Sequence, residues 1–296
     1  MRLGYVFVIL AACCWGGSAV AAKALSLGNV AGALLLSQSR VTVAWVIILV
    51  YLLARSPARL RVPLSDLAAF AVFGICGIAG ANYFLYFAIE RMDAAVADVI
   101  QFTAPLLVAV WLHATRQERF DKTKSVALAL AMAGVVLSLG LPSGVRSLSA
   151  AGVVSAAVSA LCFACMIVLG KSLSRRHDPI VYLHYGFAAS ALFWAVIAPP
   201  WTLPARIGSW QTAGLLVVFG FTSALLPYVF FLAGLRRAPA SRAAIVSTLE
   251  PAIIAVGAYL FLGESLTVSQ MTGISLVIAA VGVIEAAPIA REAERI

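Results

Sequence analysis

A small set of polar side chains sits inside stretches of sequence that otherwise avoid polarity: Ser18, Gln38, Arg40, Asn82, Gln101 and Thr103 in the first half, and His184, Ser223, Ser247, Thr248 and Glu250 in the second. Covalent catalysis is a poor match for them. A membrane enzyme needs His, Asp or Glu clustered at one face, and the histidines, His113, His177 and His184, fall in separate segments. Reversible binding fits better. Asn82, Gln101 and His184 offer donors and acceptors that could hold the ammonium and carboxylate of a zwitterion, with Ser18 and Gln38 as further candidates. Trp15, Tyr83, Tyr86, Phe163, Tyr185 and Tyr228 would add amphipathic walls that accept an apolar side chain. The competing use of the polar groups is interhelical hydrogen bonding, which is ordinary glue at membrane depth. Phe84, Phe87, Phe230 and Phe231 read as lipid-facing.

Glu250 stands directly before Pro251 at the head of a long apolar run. Proline removes a backbone donor and can kink a helix. A carboxylate taken out of water there could bind a proton or a substrate ammonium. It could equally pair with Arg40 or Lys171, or lie at a helix N-terminus where the dipole favours an anion. The structural reading is preferred, and Arg40, Pro105, Glu250 and Pro251 are assigned structural or coupling roles. Asp98 is expected to be solvent-exposed, which leaves Glu250 without a second deep acid. The cysteines Cys13, Cys14, Cys76, Cys162 and Cys165 lie in apolar runs and read as small packing residues. No metal site, cofactor or phosphate-binding loop is expected.

The elements that must position these residues follow from composition. Of 296 residues, 63% are hydrophobic and 11% charged, with mean hydropathy +1.02, whereas a soluble domain carries about 25% charged residues. The chain is expected to be an all-α membrane protein forming one membrane domain, 1–296. Runs such as 126–141 lack the alternation of a barrel strand. Punctuation by charge, Pro and Gly divides the chain into ten transmembrane spans: 3–24, 31–54, 66–89, 94–114, 124–141, 149–172, 179–199, 211–235, 239–261 and 268–287. Lys and Arg concentrate at 55–61, 116–124, 171–176 and 236–242, all on one side, so both termini are expected in the cytoplasm. The formal charge of +9 is accounted for by these loops, not by nucleic-acid binding. The expected partners are a small-molecule substrate and the lipid bilayer, with the chain as a monomer or homodimer.

The sequence also repeats. A constant offset of 146 residues places Pro105 on Pro251, Glu118 on Glu264, Gln38 on His184 and Asn82 on Tyr228. Repeat one is 1–143 and repeat two 147–296. Five helices per unit is an odd number, so the second unit enters the membrane from the opposite side, giving an inverted five-plus-five repeat. Such inversion is a transporter signature, because two similar halves can exchange conformations around a site between them. Equivalent positions are expected to meet near the pseudo-axis. Gly74, Gly77 and Gly80 form a smooth stripe for a close neighbour, while the fifth and tenth helices, lacking deep polar residues, are expected at the periphery, bracing each half or making a dimer contact.

With Trp15 of CCWGGS, Arg40 of SQSRVTVAW, the aromatic corner NYFLYFAIERMDAAVADVI, and the paired TAPLLVAVWLHATRQE and LEPAIIAVGAYLFLGE, the whole chain resembles the drug/metabolite transporter superfamily, in its EamA-type branch. It departs from the paired pattern at Ala104, where the second copy has Glu250. The resemblance implies a secondary transporter, a facilitator or exchanger working by alternating access in a bacterial inner membrane. The overall pattern is most similar to bacterial amino-acid and metabolite exporters, including the aromatic amino-acid exporter group. That implies export of amino acids, aromatic and large neutral ones among them; drugs, nucleotides or sugar metabolites are the alternative cargo.

Overall fold

The computed structural model describes residues 2–24, 27–92, 94–119, 121–140 and 148–286. The expected boundary between the repeats, 143–147, and both chain ends, Met1 and 287–296, lie outside them. Among the described residues there are helices and no strands. The chain runs through α1 (Arg2–Ala24), α2 (Leu27–Arg55), α3 (Leu64–Ile89) and α4 (Ala94–Ala114), then α5 (Lys122–Ser138). It continues through α6 (Ala150–Leu173), α7 (Pro179–Ile197), α8 (Trp210–Arg237), α9 (Ala240–Leu262) and α10 (Val268–Ala286). Nine of these, among the described residues, are long and apolar enough to cross a bilayer. The exception is α5, whose 17 residues extend about 25 Å.

Local chemistry starts these helices where the sequence places capping residues. Asp121 accepts from the Lys124 amide at 2.8 Å at the head of α5, and Asp178 from the Ile180 amide at 3.0 Å at the head of α7, each filling one of the donors a helix leaves open. At its other end α9 stops on Gly263, whose φ of 71° is the left-handed conformation that glycine adopts without a Cβ clash.

The irregularities matter more for the site. A wide π-helical stretch occupies Phe73–Gly80 in α3, and another, Phe221–Leu225, interrupts α8. Likewise α4 breaks at Phe102 and Thr103, and α9 breaks at Thr248. An offset of 146 residues carries each break onto its counterpart. The helix pairing has the same symmetry. Across the halves α1 packs on α8 and α9, α6 packs on α3 and α4, α2 pairs with α7, and α5 with α10; exchanging each helix for the one five places along reproduces the set.

Glycines allow the closest of these approaches. A Cβ on Gly74 would stand 2.1 Å from the Gly186 carbonyl oxygen, and one on Gly80 2.9 Å from Cys162 Sγ, so the stripe of α3 beds onto α7 and α6. A Cβ on Gly273 would lie 2.3 Å from the Ser138 amide nitrogen. Helices α5 and α10 therefore brace each other across the halves, where the sequence suggested bracing of each half or a dimer contact. Phe231 is fully buried with its ring centroid 5.5 Å from that of Trp15, which corrects its lipid-facing assignment: Gly234 lets α8 close tightly on α1 beside it.

Candidate functional site

Between the halves lies a cavity of about 310 Å³. Its walls come from Trp15 and Ser18 of α1, Leu36 and Arg40 of α2, and Asn82, Leu85, Tyr86 and Ile89 of α3. Asp98 and Gln101 of α4, Phe163 of α6, Phe219, Ser223 and Tyr228 of α8, and Glu250 and Ile254 of α9 complete them. These residues occupy the half of the bundle toward which α1 ends. A larger recess between α3 and α6, lined by Tyr83, Phe84, Phe87 and Val154, has almost purely apolar walls and no charged group.

Arg40 is the centre of the polar wall. It is only 9% exposed. Its Nη1 donates to Asn82 Oδ1 at 3.1 Å and to Tyr86 Oη at 2.7 Å, and Nη2 donates to the Ser223 carbonyl at 2.6 Å. The backbone explains the last bond. Pro227, four residues beyond Ser223, has no N–H to give that carbonyl, so the helix leaves it open to a side chain. Asn82 is itself fixed by donation from Nδ2 to the Ile78 carbonyl at 2.7 Å, inside the π-helical stretch. All three acceptors of Arg40 are neutral, its Nε has no partner, and no carboxylate among the described residues lies within ion-pair distance of it.

Two carboxylates face the same space. Glu250 sits in the first turn of the α9 segment that begins after the break at Thr248, and Asp98 lies on α4 three residues before Gln101. Gln101 Nε2 donates to Ser159 Oγ at 2.7 Å, and Ser159 Oγ donates to the Ala81 carbonyl at 2.6 Å, stitching α4, α6 and α3 together. The cavity floor is aromatic: Trp15 meets Tyr228 edge-on at 5.4 Å and Phe163 at 6.5 Å.

The opposite end of the bundle is shut. Glu118, just past α4, accepts from the Ala240 amide at 2.9 Å and from Ser241 Oγ, capping the start of α9. Lys124 Nζ, 2% exposed, lies 3.0 Å from Glu118 Oε2 and also donates to the Arg119 carbonyl. The first half thus holds the second by a buried, charge-assisted cap. A polar-walled cavity toward one end and this polar latch at the other are compatible with a carrier.

Comparison with known proteins agrees with that reading. The model of the EamA-like transporter family matches residues 2–140 and again 150–285. The chain belongs to the EamA-like transporter family. An uncharacterized transporter of Archaeoglobus fulgidus is 29% identical over 66% of this chain and 68% of its own. The threonine/homoserine exporter RhtA of Escherichia coli K12 is 28% identical over 76% of this chain and 73% of its own. A crystal structure sharing 19% identity superposes with TM-score 0.78 over 95% of both chains, which fixes the fold. As an EamA-like protein the chain is a multi-pass membrane transporter.

Among the residues singled out from sequence, Trp15, Ser18, Arg40, Asn82, Tyr86, Gln101, Phe163, Ser223, Tyr228 and Glu250 are brought together at the cavity. Four others are placed elsewhere. Gln38, 2% exposed, donates to the Ala198 carbonyl at 2.7 Å and accepts from Arg206 at 3.1 Å, tying α2 to the segment after α7. His184 packs against Trp45, and Tyr185 stacks on Phe70 while donating to the Leu60 carbonyl. Inversion is the reason: equivalent positions lie at opposite depths unless both are near the midplane, so Gln38 and His184 separate while Asn82 and Tyr228 meet. Tyr83 faces the apolar recess and Trp194, because on a helix the residue after Asn82 is turned about 100° away, whereas Tyr86, at i+4, shares its face. Asp98 corrects the expectation of an exposed acid, and with it the expectation that Glu250 stands alone. Its signal was available: Asp98 and Gln101 share one face of α4 at i, i+3. Lys171 is not Glu250's partner either, since Nζ donates to the Leu235 and Ala238 carbonyls at 2.7 Å each, at the end of α8. Pro105 follows the break in α4 by two residues and Pro251 the break in α9 by three.

Proposed function

We propose that this protein exports neutral α-amino acids, including aromatic and large neutral ones, as a facilitator or exchanger that alternates access to the Arg40 cavity. The observation that carries the reading is a buried guanidinium and a carboxylate facing one cavity. The substrate carboxylate displaces neutral acceptors on Arg40, where a planar fork matches it, and the α-ammonium sits on Glu250. Trp15, Phe163 and Tyr228 receive the side chain. The threonine and homoserine in the printed name of the relative RhtA are molecules of this class. With termini in the cytoplasm of a bacterial inner membrane, as the basic loops favour, the cavity faces outward and the Glu118 latch closes the cytoplasmic end. Cargo loads when the latch opens and the outer half closes.

The test is counterflow of labelled threonine, homoserine and phenylalanine into proteoliposomes preloaded with the same unlabelled amino acid. Saturable counterflow that Arg40→Met abolishes in a folded protein is expected. Counterflow no greater than in empty liposomes for all three would overturn the assignment.

A further inference from the structure

Resting on that reading, the charges of the cavity carry the substrate class one step further. Arg40 contributes one positive charge, and Asp98 and Glu250 one negative charge each, so the walls sum to 1 − 2 = −1. Arg40 is about nine-tenths buried, with Nε unpaired and all its bonds to neutral acceptors, so it is held ready for an anion and locks neither acid. The other ionisable groups on the walls are the phenols of Tyr86 on α3 and Tyr228 on α8; α1 and α6 present Trp15, Ser18, Ala19 and Phe163, none of them ionisable. On the reading above Glu250, in the first turn of α9, takes the α-ammonium, and Asp98 on α4 is a second carboxylate on the same walls. An α-amino acid carries its carboxylate and ammonium on one carbon, and Arg40 and Glu250 are the pair that reading assigns to them. Asp98 is left over.

A carboxylate without a counter-charge, half-buried on the wall of a cavity between packed helices, favours a cation beside it. The walls keep their single negative charge when empty, and a neutral zwitterion does not change it, so in both states a proton on Asp98 balances the site. An amino acid with a second ammonium on its side chain changes the sum: that ammonium takes the place of the proton. We infer that Asp98 is a second cation site that admits diamino acids such as lysine, in exchange for a proton. In each cycle one monocationic amino acid crosses one way with Asp98 ionised, and one proton returns on Asp98 in the otherwise empty carrier. Exchange is therefore electroneutral, whereas neutral amino acids move without net proton transfer.

Proteoliposomes holding the full-length protein are given a lumen one pH unit more acidic than the medium, and uptake of labelled lysine and labelled threonine is compared. At a one-for-one exchange lysine accumulates toward about tenfold, independently of an imposed membrane potential, while threonine equilibrates without accumulating. Asp98→Asn is expected to lower the lysine-to-threonine rate ratio at least about tenfold and remove the response to the gradient, with Asp98→Glu restoring both; a merely structural role for Asp98 would move the two substrates together. Threonine counterflow with no lysine transport, or threonine accumulating alongside lysine, would overturn the inference and leave neutral amino-acid transport standing. Failure of both substrates in folded protein overturns the underlying reading as well.

Discussion

Arg40 keeps its charge because its partners are neutral. Three acceptors from α3 and α8 orient the guanidinium without cancelling that charge, and the proposed function places the incoming carboxylate there. Arg40→Lys keeps the charge but cannot span Asn82, Tyr86 and Ser223 together, and threonine counterflow should show kcat/KM reduced by at least about tenfold, or about 1.4 kcal/mol. Asn82→Asp tests the same idea from the other side. It would give Arg40 a permanent anion in place of the substrate's, and the concentration dependence of counterflow should show a KM raised by about tenfold or more, with thermal stability retained. The polar identities of Arg40, Asn82 and Glu250 were legible in sequence, as rare expensive groups in an apolar chain. Which neighbour shares their cavity was not, since the spacing puts Tyr86 on the face of Asn82 and Tyr83 off it but does not say which face meets the cavity.

Helix irregularities supply the geometry on which these residues depend. Pro227 leaves the Ser223 carbonyl unclaimed by its own helix, and Arg40 takes it. Pro227→Ala would return a competing donor, and transport should fall severalfold while the folded protein remains monodisperse by size-exclusion chromatography. Close packing of the same elements is tested by a pair of glycines. Gly74→Ala drives a methyl into the Gly186 backbone, which cannot yield as a flexible side chain can. A loss of about 1–3 kcal/mol is expected from overpacking, read as a lowered melting temperature in detergent. Gly17→Ala meets nothing within 4 Å and should leave the melting temperature unchanged or slightly raised. The stripe and the prolines were visible in sequence. Their conversion into π-helical turns and breaks was not, because that depends on which donors and acceptors the neighbouring helices supply.

Across the whole molecule, the halves are joined at one end by the Glu118 cap on α9 and parted at the other by the cavity. Glu118→Ala removes an acceptor from the Ala240 amide and the Ser241 hydroxyl and leaves Lys124 without this carboxylate. In a background lacking the native cysteines, a cysteine placed by Ser241→Cys should then react several times faster with a membrane-impermeant thiol reagent applied from the latch side. An unchanged rate would mean that packing of Ala240, Ala243 and Ala244, all fully buried, holds that end shut without the cap.

What the sequence alone determined is the solvent and the symmetry. Hydropathy dictates membrane helices, because backbone polar groups in hydrocarbon must be satisfied within the segment, and the 146-residue offset between Pro105 and Pro251 marks two related halves. Tertiary structure decided which polar residues converge. Asp98, read as exposed, turns inward, while Gln38, His184 and Tyr185, read as cavity residues, serve as ties between α2, α7 and the neighbouring loops. The physical reason is that helical periodicity gives a residue's face but not what that face meets, and inversion brings equivalent residues together only near the midplane. Depth and partner are properties of the packed pair of halves, and no local pattern encodes them.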